Sequence, residues 1–292
     1  MQYKSIDRMF TLNCKGRLLA LDKPVVMGII NSTPDSFYSG SRQQTIDGAL
    51  KQAALMLEEG AVILDIGGQS TRPGGEQLGT AAELQRVAPI IEAIAKAFPQ
   101  AYISIDTYYA GVAQGAVEAG ACMVNDISGG SFDAGMLPAV AALKVPYVCM
   151  HLEGTPQTMH QKADYPSLMQ DLLDHFIERI AACRDAGITD VIIDPGFGFS
   201  KTTAQNFQLV KELGLLKMLQ CPLLLGVSRK STIYRTLGIT PEESLNGTTV
   251  LNTMGLLNGA NILRVHDVKE AVQAIELVEK ISDTTLGSAS VY

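Results

Sequence analysis

The residues of this 292-residue chain best suited to chemistry stand where short apolar runs end. Asn31 closes one run, Asp65 lies just before Gly67-Gly68-Gln69-Ser70-Thr71-Arg72-Pro73, and Asp106 closes a third. Asn125 and Asp126 sit in a fourth, His151 follows a fifth and Asp194 closes a sixth. Ser228-Arg229-Lys230 follows a seventh, and Arg264-Val265-His266 ends the eighth. Asp106, Asn125 and Asp194 supply acceptors and an amide fork, a set suited to a flat, nitrogen-rich ring with adjacent N–H donors. Lys230, Arg264 and His266 offer donors and positive charge to an anion. Ser70 and Arg72 add donors on a Gly-rich loop that the Gly74-Gly75 pair lets open and close. A single strand-end Asp or Asn has a plain structural explanation, as the cap of the next helix or a partner for loop amides. Polar groups at all eight ends read instead as a pocket that takes an aromatic heterocycle at depth and an anion at its rim.

The elements that must position these residues are legible as a repeat. Val25–Asn31, Val62–Ile66, Tyr102–Asp106, Cys122–Ile127, Val145–Met150, Val191–Asp194, Pro222–Val227 and Asn261–Val265 are short and rich in Val, Ile and Leu. Between them lie segments of helical spacing, such as Ile46, Ala49, Leu50, Ala53, Ala54 and Leu57, or Val268, Ala271, Val272, Ile275 and Val278. Strand then helix, repeated, means parallel strands with crossover helices. Strands apolar throughout are buried on both faces, and eight units in about 260 residues fit a closed α/β barrel, the (β/α)8 TIM barrel, better than an open doubly wound sheet. In such a barrel the active site lies at the C-terminal strand ends, where the polar residues stand, and the seventh and eighth strands commonly bind phosphate. Arg264 and His266, two apart, are expected on one side. Phe10, Leu12, Leu18 and Leu21, around Lys15-Gly16, predict an N-terminal β-hairpin covering the barrel floor. Leu286–Tyr292 reads as a loose tail. No linker divides the chain, so residues 1–292 are expected to form one domain, with the barrel at about 24–282.

A net charge of −7 argues against a nucleic-acid or anionic-membrane surface. The apolar runs are far shorter than the ~20 residues that span a bilayer, and no signal pattern opens the chain. Cys14, Cys122, Cys149, Cys183 and Cys221 lack metal or disulfide spacing and read as buried or free thiols, so a soluble, cytoplasmic protein is expected.

The same positions carry a resemblance. Asn31-Ser32-Thr33-Pro34-Asp35-Ser36-Phe37, Asp65 to Gly74, Asn125-Asp126-Ile127, Asp194-Pro195-Gly196-Phe197-Gly198-Phe199, Ser228-Arg229-Lys230-Ser231 and Arg264-Val265-His266-Asp267 resemble the signatures of the dihydropteroate synthases, in the family's order and across about residues 25–281. The resemblance implies Mg-dependent condensation of a pterin methyl diphosphate with 4-aminobenzoate, releasing pyrophosphate. It implies that Thr71, Asp106, Asn125, Asp194, Lys230, Arg264 and His266 hold the pterin diphosphate, with Asp106, Lys230 and Arg264 catalytic. Phe37, Thr71, Arg72, Pro73 and Ser228 surround 4-aminobenzoate, and Asn31 binds Mg. A homodimer is the expected assembly. The chain departs from the family's pattern at Ser39, where many relatives have Asp, leaving Asp35 as the nearer carboxylate. It also departs at Gln69, where Glu is common, and in Met150-His151-Leu152-Glu153-Gly154. His151 is divided between helping the pocket and packing under a loop, while His160 and His175 read as surface or helix residues. Three other functions stay open: a pterin-binding methyltransferase domain of the same barrel superfamily, a Schiff-base aldolase using Lys230 with its pKa depressed by Arg229, and a catalytically silent pterin-binding protein.

Overall fold

The computed structural model describes residues 9–32, 42–69, 78–155, 158 and 165–283. Its first element is the expected hairpin, β1 (Phe10–Cys14) antiparallel to β2 (Arg17–Leu21), with Cys14 opposite Arg17. The two turn residues, Lys15 and Gly16, both have positive φ, 54° and 86°, as a tight two-residue turn requires. Strand alternation sends Leu12, Cys14, Leu19 and Leu21 inward, onto a cluster with Met27, Ile63, Met123, Val148, Ile192, Leu224 and Ile262. The hairpin thus plugs the barrel floor. Leu18, expected to join it, is instead 67% exposed, because the inward register belongs to positions 19 and 21.

Eight parallel strands follow: β3 (Val25–Asn31), β4 (Ile63–Gly67), β5 (Tyr102–Asp106), β6 (Met123–Asp126), β7 (Tyr147–Met150), β8 (Val191–Asp194), β9 (Leu224–Leu225) and β10 (Ile262–Val265). Their order is β8-β7-β6-β5-β4-β3-β10-β9. The seam between β8 and β9 is closed by one bridge, Ile193 to Leu223, where Ile193 N–H donates to the Pro222 carbonyl at 3.0 Å. Four strands are shorter than expected, β6 losing Cys122 and Ile127 from its ends and β10 losing Asn261. Pro146 has no N–H to donate, so β7 begins at Tyr147. The run Pro222–Val227 keeps only two strand residues, since beyond Leu225 the chain turns, with Lys230 N–H donating to the Val227 carbonyl at 3.2 Å and Arg229 at φ 55°.

Helices α1 (Arg42–Glu58), α2 (Thr80–Ala97), α3 (Ala110–Ala119), α4 (Met136–Leu143), α5 (Leu168–Ala186), α6 (Thr203–Glu212), α7 (Ser231–Leu237), α8 (Leu245–Leu257) and α9 (Val268–Asp283) alternate with the strands. Each turns an apolar stripe to the sheet. Ala49, Ala53 and Met56 do so in α1, though the expected Ala54 faces solvent, and Val268, Ala271, Ile275 and Val278 do so in α9. The α6 helix starts on a reciprocal cap: Gln205 N–H donates to the Thr202 hydroxyl while Thr202 N–H donates to the Gln205 side chain. Among the described residues no helix is long and apolar enough to cross a membrane. The tail Leu286–Tyr292 lies outside the described residues.

Candidate active site

The C-terminal strand ends bring four of the expected polar side chains into one layer. Asp65 on β4 is fully buried. Its Oδ2 accepts from Arg264 Nε at 2.6 Å and from Asn125 Nδ2 at 3.0 Å, while Oδ1 has no partner among the described residues. Arg264 also donates from Nη2 to Asp106 Oδ2 at 2.7 Å. The register sets Asp106 beside Asn125 and opposite Gly67, so β4, β5 and β6 present their polar ends at one height. Burial pushes the Asp106 carboxyl up to about 7, against the lowering effect of Arg264 and with Asp65, Glu83 and Asp126 adding to the rise. Burial works against the Arg264 charge too, but Asp65 and Asp106 overcome it and hold the guanidinium above its ordinary range.

Asp194 and Lys230 complete the layer. Asp194 Oδ1 accepts from Gly196 N–H at 2.8 Å, and burial raises its pKa while Lys230 opposes that rise. Lys230 Nζ donates to the Phe197 carbonyl and lies 4.4 Å from the centre of the Phe199 ring. Burial brings Lys230 down to about 8, with Asp194 opposing, Arg264 adding and Asp106 opposing. Here the glycines of Asp194-Pro195-Gly196-Phe197-Gly198-Phe199 have specific work. At Gly198, φ 81°, a Cβ would lie 2.8 Å from Lys230 Cδ, and at Gly196, φ 70°, it would strike the His151 carbonyl oxygen.

Several expected neighbours take other places. Asp126 serves the backbone, accepting from Ser128 N–H at 2.7 Å, Gly130 N–H at 2.9 Å and the Tyr147 hydroxyl at 2.7 Å. Arg229 makes a two-pronged contact with Asp267, at 2.9 and 2.7 Å, and is absent from the charges that lower Lys230. That removes the ground for an Arg229-activated lysine. His266 is exposed, one residue beyond β10, with Nδ1 3.0 Å from the buried Ser228 hydroxyl. Gln69 donates to Glu83 and accepts from the Tyr108 hydroxyl at 3.0 Å. Asn31, at the end of β3, pairs with Gly67, where a Cβ would sit 3.3 Å from Asn31 Oδ1. Asp35, Phe37, Ser39, Ser70, Thr71, Arg72, Pro73, the Gly74-Gly75 pair and His160 lie outside the described residues.

One residue escaped sequence reasoning. Lys201 Nζ lies 3.0 Å from His151 Nδ1 and donates to the Gly196 and Phe199 carbonyls, both at 3.2 Å. Burial lowers it to about 7, with Asp194 opposing. It braces the loop that presents Asp194, and His151 packs beneath that loop. Burial, with Lys201 and His175 adding, pushes His151 down to about 2, so the ring is neutral. A lone lysine ahead of a helix cap gives no spacing signal; only the return of the chain past His151 reveals it.

Acceptors at depth with Lys230 and Arg264 beside them suit a planar ring with N–H donors attached to an anion. The family described as pterin binding enzyme matches residues 27–266. Dihydropteroate synthase of Escherichia coli K12 is 42% identical over 270 residues, 92% of this chain and 95% of that protein. This chain belongs to the dihydropteroate synthase family. Among solved structures, Xanthomonas albilineans dihydropteroate synthase with 4-aminobenzoic acid superposes with a TM-score of 0.89 at 40% identity, covering 95% of this chain and 100% of that one. The Yersinia pestis dihydropteroate synthase with a sulfonamide drug complex gives 0.88 at 40%, covering 94% and 100%. Alignment with dihydropteroate synthases over essentially their full length leaves the methyltransferase-domain reading without support.

Proposed function

We propose that this chain condenses 6-hydroxymethyl-7,8-dihydropterin diphosphate with 4-aminobenzoate, giving 7,8-dihydropteroate and pyrophosphate for folate biosynthesis. The observation that carries this reading is the joint placement of Asp106, Asn125 and Asp194 with Lys230 and Arg264 at one end of the barrel. In this reading Asp106, Asn125 and Asp194 bind the aminopyrimidinone edge, and Lys230 neighbours the ring's oxygen and nitrogen acceptors. Arg264 and His266, with Thr71, face the diphosphate. As the bond from the methylene carbon to the diphosphate oxygen lengthens, positive charge spreads into the pterin beside Asp106 and Asp194, and negative charge grows beside the cations. The arylamine nitrogen of 4-aminobenzoate then bonds to that carbon and loses a proton. Phe37, Thr71, Arg72, Pro73 and Ser228 would surround this second substrate. No covalent bond to Lys230 is required.

Asn31 fits a magnesium ion. It offers a neutral hard oxygen, the glycine at 67 leaves that oxygen uncrowded, and Mg2+ commonly takes one or two protein oxygens together with substrate phosphates. When bound, Mg2+ would offset charge on the departing diphosphate.

The assembly we propose is a homodimer. Val250, Met254 and Leu257, spaced four and three apart on α8, are 51%, 40% and 60% exposed, an apolar stripe that a second copy would cover. Five free buried thiols suit a cytoplasmic location. The decisive assay is pyrophosphate release from the pterin methyl diphosphate. Release coupled one to one with dihydropteroate, and dependent on 4-aminobenzoate, supports the reading; no arylamine-dependent product would refute it.

A further inference from the structure

Beneath the Asp194 loop, where the His151 backbone N–H donates to the Asp194 carbonyl at 2.9 Å, three side chains converge. His151 follows β7, Glu153 is two residues on, and His175 comes from α5. One ligand-capable atom from each lies within 4.8 Å of the other two. The His151 and His175 rings meet edge to face, centroids 4.6 Å apart at 80°, and His151 Nε2 is 4.0 Å from Glu153 Oε1. His175 Nε2 is buried and has no hydrogen-bond partner among the described residues.

That last atom is the telling one. A ring nitrogen removed from water without a partner is destabilising, and packing two imidazoles edge to face does not satisfy it. Two imidazoles and a carboxylate are a common donor set for zinc, whose bonds to nitrogen and oxygen are about 2.0–2.2 Å and whose tetrahedral ligands stand about 3.3 Å apart. From separations of up to 4.8 Å the contraction needed is at most about 1.5 Å. Glu153, whose side chain is 50% exposed, can swing to take up its share.

We propose that His151, Glu153 and His175 form a binding site for a zinc-like divalent cation, with a fourth position open to water. The other nitrogen of His151 faces Lys201, whose ammonium is a donor, so a metal on Nε2 requires that contact to open. Binding on Nε2 places the ring proton on Nδ1. Lys201 then withdraws toward the Gly196 and Phe199 carbonyls it already contacts. Through Gly196, whose N–H donates to Asp194 Oδ1, the cation is linked to the loop of the proposed pterin pocket.

The test is titration of zinc chloride, followed by calorimetry, into the full chain and its Glu153→Gln and His175→Gln variants. Visible absorption with cobalt(II) serves as the second readout. One site per chain is expected, with a tetrahedral cobalt spectrum and affinity reduced at least tenfold in each variant. No uptake by the unaltered chain, or the same affinity in Glu153→Gln, would overturn the proposal. Glu153 is half exposed and its replacement leaves the fold intact, so that variant decides the matter even if His175→Gln fails to fold.

Discussion

Arg264 Nη2 lies 2.7 Å from Asp106 Oδ2, joining β10 to β5 across 158 positions of chain. The same guanidinium holds the fully buried Asp65, so one side chain neutralises two carboxylates at the strand ends. Removing it should therefore be felt in stability before it is felt in chemistry. Arg264→Ala is expected to lose about 3–5 kcal/mol, the usual penalty for stranding a buried charge.

That loss should depend on pH with a definite sign. The Asp106 pKa is already raised in the folded state, to about 7, and loses its main opposing charge in the variant. A raised carboxyl contributes stability that is full below its unfolded pKa and is lost as pH rises through the folded one. Denaturant unfolding of Arg264→Ala at pH 5 and pH 8 should show the larger deficit at pH 8. A deficit independent of pH would mean that the Asp106 carboxyl does not depend on Arg264.

The pH dependence of kcat/KM should be a narrow bell. Below about 7 Asp106 gains a proton and ceases to be an ionised acceptor, while above about 8 Lys230 loses its charge. Because these groups interact, the two limbs belong to the set rather than to single residues. In Lys230→Arg the alkaline limb should disappear within residual activity. An unchanged alkaline limb would assign it elsewhere.

The strand ends were readable because a closed apolar run announces both its direction and its last residue. Asp106, Asn125 and Asp194 therefore landed where spacing put them. What could not be read depends on chain returning from far away. The Arg264–Asp65 pair spans 199 positions, and Lys201 acquires its role only where its loop passes His151. Local pattern also overstated the run Pro222–Val227, since apolar residues there line the barrel without pairing as strand beyond Leu225. In the hairpin, Leu18 and Leu19 are adjacent leucines, and only the register at Cys14 opposite Arg17 decides which faces in.

Met254→Asp on α8 should yield monomers by sedimentation with little change in secondary structure, since Met254 is 40% exposed. A charge inside a buried interface opposes association strongly, whereas on a free surface it is tolerated. Equal sedimentation of the variant and the unaltered chain would place the dimer contact elsewhere or remove it.

For magnesium, calorimetry of pyrophosphate binding separates ion from protein effects. The unaltered chain should bind pyrophosphate more tightly with Mg2+ than without, and Asn31→Ala should lose most of that difference while keeping its metal-free affinity. An undiminished Mg2+ effect in Asn31→Ala would exclude Asn31 as a ligand.

The central claim is that the buried acceptors at the strand ends bind the pterin ring, and Asp194 tests it most directly. Asp194 is 6% exposed, and Asp194→Asn keeps its size while turning one acceptor into a donor. A phosphate-free 6-hydroxymethyl pterin, titrated calorimetrically into both proteins, isolates the ring from the diphosphate. The account predicts that Asp194→Asn weakens binding by roughly 2–4 kcal/mol, the penalty for a mispaired buried polar group. Equal affinity in the two proteins would contradict it and place the ring elsewhere.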